Sequence, residues 1–221
     1  MPYDAYLTNG LGDGLILDAE GRTLLAAGKR PEQFAEDNNG SPAFSGRLAV
    51  QRGRRGEVGV FHYGAIYHTF RVDGAAVDER RRLSITALDV ATSVGPLTLR
   101  GAAAMVPVAV PASLVEVFGS RQHGAHLNAV LPIWRLRVMG MRNAVVNAAF
   151  RLEYIDYNVG TFHSTGDPIW DDVRAIVPGL SFRPSGSTVF KANYRREWHR
   201  DLLGNPTARR GGWQVGFATY F

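Results

Sequence analysis

The sequence predicts an all-β protein, an antiparallel up-and-down transmembrane β-barrel with about ten strands in this chain. Three observations predict that fold class. Apolar and polar residues alternate in segments along the whole chain, most of these segments exceed the length of soluble strands, and short connections alternate with long ones. A tilted strand that crosses a bilayer needs about 9–11 residues, whereas soluble strands cluster near about five or six. We expect one barrel domain over residues 1–221, N-terminally truncated.

Each alternating segment is taken as one strand, because side chains on a strand point to opposite faces with a period of two. The predicted strands cover residues 3–9, 43–52, 58–70, 81–94, 97–109, 124–135, 144–158, 173–184, 188–201 and 212–221. Gly- and Pro-rich tight turns follow the second, fourth and eighth strands, and a longer connection at 135–143 falls on the same side. The remaining connections are long, as the outer loops of a barrel are: 10–42, 71–80, 110–123, 160–172 and 202–211.

Two of the long connections carry helical signals. Ser113 and Glu116 have the spacing of a capping box, and Gly119 is placed to end the helix. A helical turn is also expected in 31–37. Neither signal changes the predicted fold class.

The predicted strands have one apolar and one polar face. Segment 188–201 puts Phe190 and Tyr194 on one side and Lys191 and Arg195 on the other, and Arg196 breaks the apolar side near its outer end. In a soluble sandwich the apolar face would be the core, so the period alone does not choose between the two architectures. The aromatics favour the barrel, because they lie towards segment ends as interfacial girdles do: Trp134, Tyr154, Tyr194, Trp198, Trp213 and Phe221.

The composition narrows the functional classes. The longest apolar stretch, 102–118, is interrupted by Pro107, Pro111 and Glu116, and it is shorter than the roughly 20 residues of a transmembrane helix. The absence of cysteine excludes disulfides and thiol chemistry. The net charge of +5 is spread along the chain without a helix-turn-helix or zinc-finger pattern, so we expect no nucleic-acid partner. No secretory signal follows Met1, as expected of a mature or truncated form of an exported protein.

Three stretches, 178–184, 188–194 and 212–221, give the chain a family resemblance. The chain resembles the C-terminal portion of a bacterial outer-membrane β-barrel protein of the porin-like kind. In the terminal strand Gln214, Gly216 and Phe221 match the family's assembly signal, whereas Thr219 stands where an apolar residue is usual. The resemblance implies the outer membrane of a Gram-negative bacterium, with lipid and the barrel-assembly machinery as partners. Because segment 3–9 is short for a spanning strand, we expect further N-terminal strands in the natural barrel.

The resemblance and the polar faces together predict a passive diffusion channel for small solutes, with a preference for anions. The candidate lumen-facing residues are Arg47, Arg100, Arg151, Glu153, Arg183, Lys191, Arg195 and Glu197. An equally supported alternative is that the arginines pair with the acids and fill a narrow interior. The loop 10–42 is expected to lie outward in solvent rather than to fold inward.

Two other functional classes stay open from the sequence. The first is a soluble β-sandwich or lipocalin-like module that binds a ligand, and the second is an outer-membrane barrel enzyme with a site at its rim. The rim candidates are His163, Ser164, Asp167, Asp171 and Asp172. Because no hydrolase, zinc-protease or nucleotide-binding motif occurs, we expect no enzyme activity, no cofactor and no metal. The sequence predicts no particular oligomeric state.

Overall fold

The computed structural model describes residues 1–17, 21–29, 40–53, 56–72, 75–138 and 141–219, and most of them belong to one antiparallel sheet of ten strands. Its order is β1-β2-β3-β6-β7-β8-β9-β12-β13-β14, so each strand of the sheet pairs with the next one along the chain. The strands are β1 (Tyr3–Thr8), β2 (Ala43–Gln51), β3 (Gly56–Ile66), β6 (Arg82–Val94), β7 (Leu97–Pro107), β8 (Arg121–Val138), β9 (Met141–Asp156), β12 (Asp172–Arg183), β13 (Thr188–His199) and β14 (Ala208–Thr219). The all-β meander that the sequence predicts is thereby confirmed.

The connections at the long-loop end hold the remaining elements. Two short ladders lie there, formed by β4 (Arg71–Val72) with β5 (Ala75–Ala76) and by β10 (Gly160–Thr161) with β11 (Pro168–Ile169). Two 3₁₀ turns, Asp13–Leu15 and Leu25–Gly28, lie in the first long connection. Among the described residues, no helix has both the length and the apolar character needed to cross a membrane.

The helix predicted after residue 110 is present as α1, a single turn over Val115–Phe118. It ends at Gly119, whose φ of 58° lies in the left-handed region that glycine tolerates. The capping-box prediction is wrong in detail, because the N-cap residue is Leu114 and no side chain caps the helix. The helical turn predicted in 31–37 lies outside the described residues.

The prediction of a longer connection at 135–143 is also wrong. Strand β8 continues to Val138 and β9 begins at Met141, which makes this connection a tight hairpin. The register shifts between Pro132 and Trp134 and again between Leu136 and Val138. Such irregularities move side chains to the other face and interrupt the period-2 pattern, which is why the pattern does not reveal the end of this strand.

The register aligns apolar side chains into rows on one face of the sheet, which we call the apolar face. Val60 pairs with Leu88, and Leu88 pairs with Ala103 on the next strand. At the other side of the sheet Phe190 lies between Phe182 and Phe217, with ring centroids 6.4 Å and 4.9 Å apart. These side chains are exposed; Leu88, in the middle of its strand, keeps 56% of its surface accessible. A two-layer sandwich would bury this face.

The two edges of the sheet are β1 and β14. Within the described residues no pairing joins them, and the register of β14 runs from Ala208 to Thr219 against β13 only. The sheet is therefore observed as an open ten-stranded meander. The predicted aromatic terminus, Phe221, lies outside the described residues.

The buried apolar core is small and lies at the long-loop end, on the face opposite to the apolar rows. It consists of Leu15, Tyr67, Leu83, Val106 and Val108. Leu15 comes from the first long connection, whose described residues 11–17 and 21–29 we call the strap. The strap thus packs against the face of the sheet opposite to the apolar rows, and the prediction that this loop lies outward in solvent is wrong for these residues. Its acidic residues in 18–20 and 30–39 lie outside the described residues.

Candidate functional site

The face opposite to the apolar rows carries the charged residues, and we call it the polar face. All eight residues that the sequence assigns to the lumen alternate with the apolar rows and fall on this face. Arg100 pairs with Asn128, and Asn128 pairs with Arg151, so both arginines share one row across β7, β8 and β9. Lys191 lies in another row, opposite Ser181. The eight residues separate into three groups.

The first group is an ion triad centred on Arg47. Its guanidinium donates to Asp89 through Nε at 3.1 Å and Nη2 at 2.6 Å, and Nη2 also donates to Glu57 at 2.5 Å. The triad lies directly over Gly59, where an added Cβ would come within 2.5 Å of both Arg47 and Asp89. The charge of Arg47 is therefore neutralised by Glu57 and Asp89, which the sequence did not predict as site residues.

The second group is a chain of alternating charges towards the long-loop end of β9 and β13. Arg195 donates to Glu153 at 2.5 Å and to Glu197 at 2.6 Å, and Glu197 also contacts His199 Nε2 at 2.8 Å. Glu153 contacts Arg151 Nε as an ion pair, but the geometry is not that of a hydrogen bond. Arginines thus pair with acids in this group and in the Arg47 triad, whereas the filling of a narrow interior stays a prediction.

The third group is a basic cavity towards the tight-turn end of β7 to β13, with a volume of about 1070 Å³. Arg100, Arg151, Arg183 and Lys191 line it, and no carboxylate is among its lining residues. Neutral polar side chains lie between the cations: Asn128, Asn147, Ser181 and Asn193. The polar face is thus divided into a neutralised part and a part with an excess of positive charge.

Sequence reasoning missed two members of the basic cavity, Arg135 and Arg137. Both follow the bulge after Pro132, in the stretch taken for a connection, and Arg135 pairs with Val145 as part of β8. One signal in the sequence could have revealed them. Arg135, Leu136 and Arg137 alternate between polar and apolar residues, which predicts that the strand continues beyond the bulge with its two faces exchanged in the pattern.

The strap crosses the polar face at the long-loop end and is fixed to distant loops. Arg22 donates to Asp171 at 2.9 Å and lies 5.2 Å from the ring of Tyr157. Gln122 donates to the carbonyl of Thr23 at 2.6 Å, and the Thr23 amide donates to the carbonyl of Phe118 at 3.1 Å. These contacts connect the β1–β2 connection to the loops before β8 and β12. The strap covers part of this end of the polar face.

Asp171 is the strained member of this contact. Its φ of 42° makes it the only positive-φ residue other than glycine in the described chain, and an aspartate tolerates that conformation better than most residues. Burial raises the pKa of Asp171 above its ordinary value, and the nearby Arg22 acts in the opposite direction. Arg22 therefore helps to keep a buried carboxylate ionised.

The five rim residues considered for catalysis do not form one site. His163, Ser164 and Asp167 are exposed on the loop between β10 and β11, whereas Asp171 and Asp172 are buried. Asp172 accepts from Arg200 and from Arg174, the latter at 3.2 Å, so its charge is already compensated. Among the residues that the structure describes, no group of three or more His, Asp or Glu side chains is arranged to hold a metal ion.

The apolar face has its own polar border at the long-loop end of β12 to β14. Arg174 lies 5.6 Å from the ring of Tyr154, and Arg196 lies 5.7 Å from the ring of Trp198. Trp198 pairs with both Arg174 and Arg209. An aromatic and arginine border of this kind suits a headgroup region.

The aromatic distribution differs in part from the predicted girdles. Trp134 is exposed near the tight-turn end, and Tyr154 and Trp198 lie near the long-loop end. Tyr194 and Trp213, whose ring centroids are 5.3 Å apart, lie in mid-strand, so the end position predicted for them is wrong.

Comparisons with protein-family models, with curated proteins and with solved structures gave no match to this chain.

Proposed function

We propose that this chain is an integral outer-membrane β-barrel of the porin-like kind, a passive channel for small solutes that prefers anions. The observation that carries the proposal is the continuous exposure of the apolar face. A soluble protein rarely exposes a contiguous apolar patch beyond a few hundred Å². Here the exposed side chains follow the register across the sheet instead of occurring singly. Lipid is the environment in which such a face is stable.

Closure of the sheet is part of the proposal. A barrel leaves no unpaired strand edge, and a membrane permits none against lipid. The edges β1 and β14 therefore pair in the membrane, either with each other or with further strands. The proposal does not depend on the final strand number.

The anion preference is supported by the distribution of charge on the polar face. The cations of the Arg47 and Arg195 groups are compensated by carboxylates, whereas the basic cavity has cations only among its charged lining residues. A wall of one sign in a low-dielectric surrounding concentrates counter-ions near it. Anions are therefore expected to carry most of the current.

Two adjacent substitutions test the orientation of the sheet. Leu88 lies on the apolar face in the middle of β6, and Ala87 lies next to it on the polar face. We expect Leu88→Arg to reduce folding into lipid vesicles by about 2–4 kcal/mol, because an arginine at the bilayer midplane has that cost. Ala87→Arg is the matched control and should fold with little change. Heat-modifiable migration on a gel measures the folded fraction.

A sheet that leaves Leu88 in water would tolerate Leu88→Arg, because arginine in place of an exposed leucine costs little there. A soluble sandwich or ligand-binding barrel would bury Leu88, and it would fold without detergent or lipid. Folding of Leu88→Arg with unchanged yield, or folding of the native chain without detergent or lipid, would therefore exclude the membrane barrel. Reversal potentials across a KCl gradient in planar bilayers then test ion preference. Cation preference, or no conductance in a properly folded sample, would contradict the channel.

A further inference from the structure

The basic cavity differs from the rest of the polar face in that its lining cations, apart from Arg151 with its partner Glu153, have no carboxylate partner among the described residues. Among the residues that the structure describes, no carboxylate lies within 4.0 Å of Arg100, Arg135, Arg137, Arg183 or Lys191. Elsewhere on the same face the chain does place acids beside arginines, as at Arg47 and Arg195. The missing acids are therefore a local property of the cavity.

The cations form two tiers separated by a floor, which is one row of uncharged residues. Arg100 and Arg151 belong to the upper row, and Lys191 belongs to a row four residues further along each strand, about 13 Å away at 3.3 Å per residue. The row between them contains Ala149 and Gly179. A Cβ added at Gly179 would come within 2.0 Å of the Asn193 side chain, so the missing side chain of Gly179 makes room for Asn193.

Both tiers line the same cavity, so one solute that occupies it faces cations of both. The tiers are about 13 Å apart along the strands, and Arg100 on β7 lies four strands, or about 19 Å, from Lys191 on β13, so they are connected only through a ligand that fills the cavity. Asn147 donates to Ser181 at 3.1 Å beside this floor, and these neutral groups add hydrogen-bonding partners without adding charge. A monovalent ion can contact one tier only, whereas a solute with charges at two positions contacts both.

We propose that this cavity is a binding site for small solutes that carry several negative charges on oxygen, the chemistry shared by phosphorylated and polycarboxylate compounds. Arginine holds such oxygens through paired N–H donors, and a bound polyanion relieves the mutual repulsion of the unpaired cations. The inference rests on the proposed function for the way a solute reaches the cavity. The inference is more specific than a general anion preference, because it assigns the binding of polyanions to the residues that line this cavity.

The test uses the full chain in detergent, with tripolyphosphate, citrate and chloride as probes in isothermal titration calorimetry. We expect both multivalent probes, or the one whose oxygens fit, to bind, and chloride to show no saturable binding. The variant Arg100→Gln/Lys191→Gln removes one charge from each tier. It should weaken binding by roughly 10-fold or more for each charge removed, because hydrogen bonds to charged groups contribute that much.

The control variant Arg196→Gln/Arg209→Gln changes the net charge equally, but its residues lie on the apolar face away from the cavity. It should bind tripolyphosphate and citrate as the native chain does. A third variant, Ala149→Leu, fills the floor without changing any charge and should also weaken binding. Heat-modifiable migration verifies that each variant is folded.

Equal weakening in the cavity variant and the control would overturn the inference, because it would mean that net charge alone attracts the probes. The inference would also be overturned if both multivalent probes showed no saturable binding. Binding by only one of them would support it and would identify the preferred group. Conductance in KCl without polyanion binding would leave the channel proposal intact, whereas binding without conductance would contradict the channel alone.

Discussion

The strap offers the sharpest test of the packing, because Leu15 is its residue in the buried apolar core. Leu15 is fully buried against Tyr67, Leu83 and Val108 at the long-loop end of the polar face. Replacing a buried leucine with alanine costs roughly 2–5 kcal/mol. If Leu15→Ala lowers the free energy of strap opening by about 3 kcal/mol, the open population rises roughly 100-fold, since about 1.4 kcal/mol corresponds to a factor of ten.

The chain contains no cysteine, so a single introduced thiol reports this opening without interference. Thr23 is a fully buried residue of the strap, and its hydroxyl has no hydrogen-bond partner among the described residues, so Thr23→Cys should disturb the packing little. Labelling by a maleimide is then limited by the fraction of open strap when opening and closing are fast. We expect Leu15→Ala to accelerate labelling of Cys-substituted Thr23 roughly 100-fold.

The matched control is Leu17→Ala in the same segment, because Leu17 is 75% exposed. Substitutions of exposed residues usually change stability by less than about 0.5 kcal/mol, so its labelling rate should change about twofold or less. Similar acceleration in both variants, or none in Leu15→Ala, would refute the inward packing of the strap. Under the proposed channel function, Leu15→Ala should also conduct more than the native chain in planar bilayers, because the strap covers part of the long-loop end of the polar face.

Three further predictions concern the loops at the long-loop end. Burial raises the pKa of Tyr67 to about 12, and the Tyr67 hydroxyl donates to the Ala109 carbonyl at 2.6 Å. The stabilisation that Tyr67 contributes through its neutral form is therefore complete below about pH 10 and is lost as the pH rises through 12. The ultraviolet difference titration of the native chain against Tyr67→Phe should show one tyrosinate that forms near pH 12, and formation near pH 10 would contradict the burial. Hydrogen bonds from the Asn205 side chain and from nearby backbone amides lower the pKa of Asp201. Because the ionised carboxylate accepts from the amides of Leu203 and Asn205, protection of the amides in 203–205 should be complete above about pH 4. This protection should be lost as the pH falls through the lowered pKa of Asp201. Hydrogen exchange measures this, and Asp201→Asn should abolish the pH dependence. Gly204→Ala should shift the fluorescence emission of Trp170, because a Cβ at position 204 would lie 2.2 Å from the Trp170 ring. Gly166→Ala is the control: it has the same left-handed backbone strain, but a Cβ there would meet no atom within 4 Å, so the emission should stay unchanged.

The sequence by itself determines the ten strands and the two faces of the sheet. A period of two is a local property, because successive side chains of a strand point to opposite sides whatever the strand pairs with. The alternation in 188–199, for example, already assigns Phe190 to one face and Lys191 to the other. The same reasoning fails at Pro132, where a bulge changes the phase and hides Arg135 and Arg137.

Only the tertiary structure decides which charges meet. Arg47 and Asp89 are 42 positions apart, and they meet because the register of β2, β3 and β6 brings them to one place. The unpaired state of Arg100 and Lys191 has the same origin, because the register lets the nearby acids Glu57, Asp89 and Glu153 pair with Arg47, Arg151 and Arg195 instead. The position of the strap on the polar face depends on Leu15 packing against residues from two strands and two connections, and no local pattern encodes such contacts.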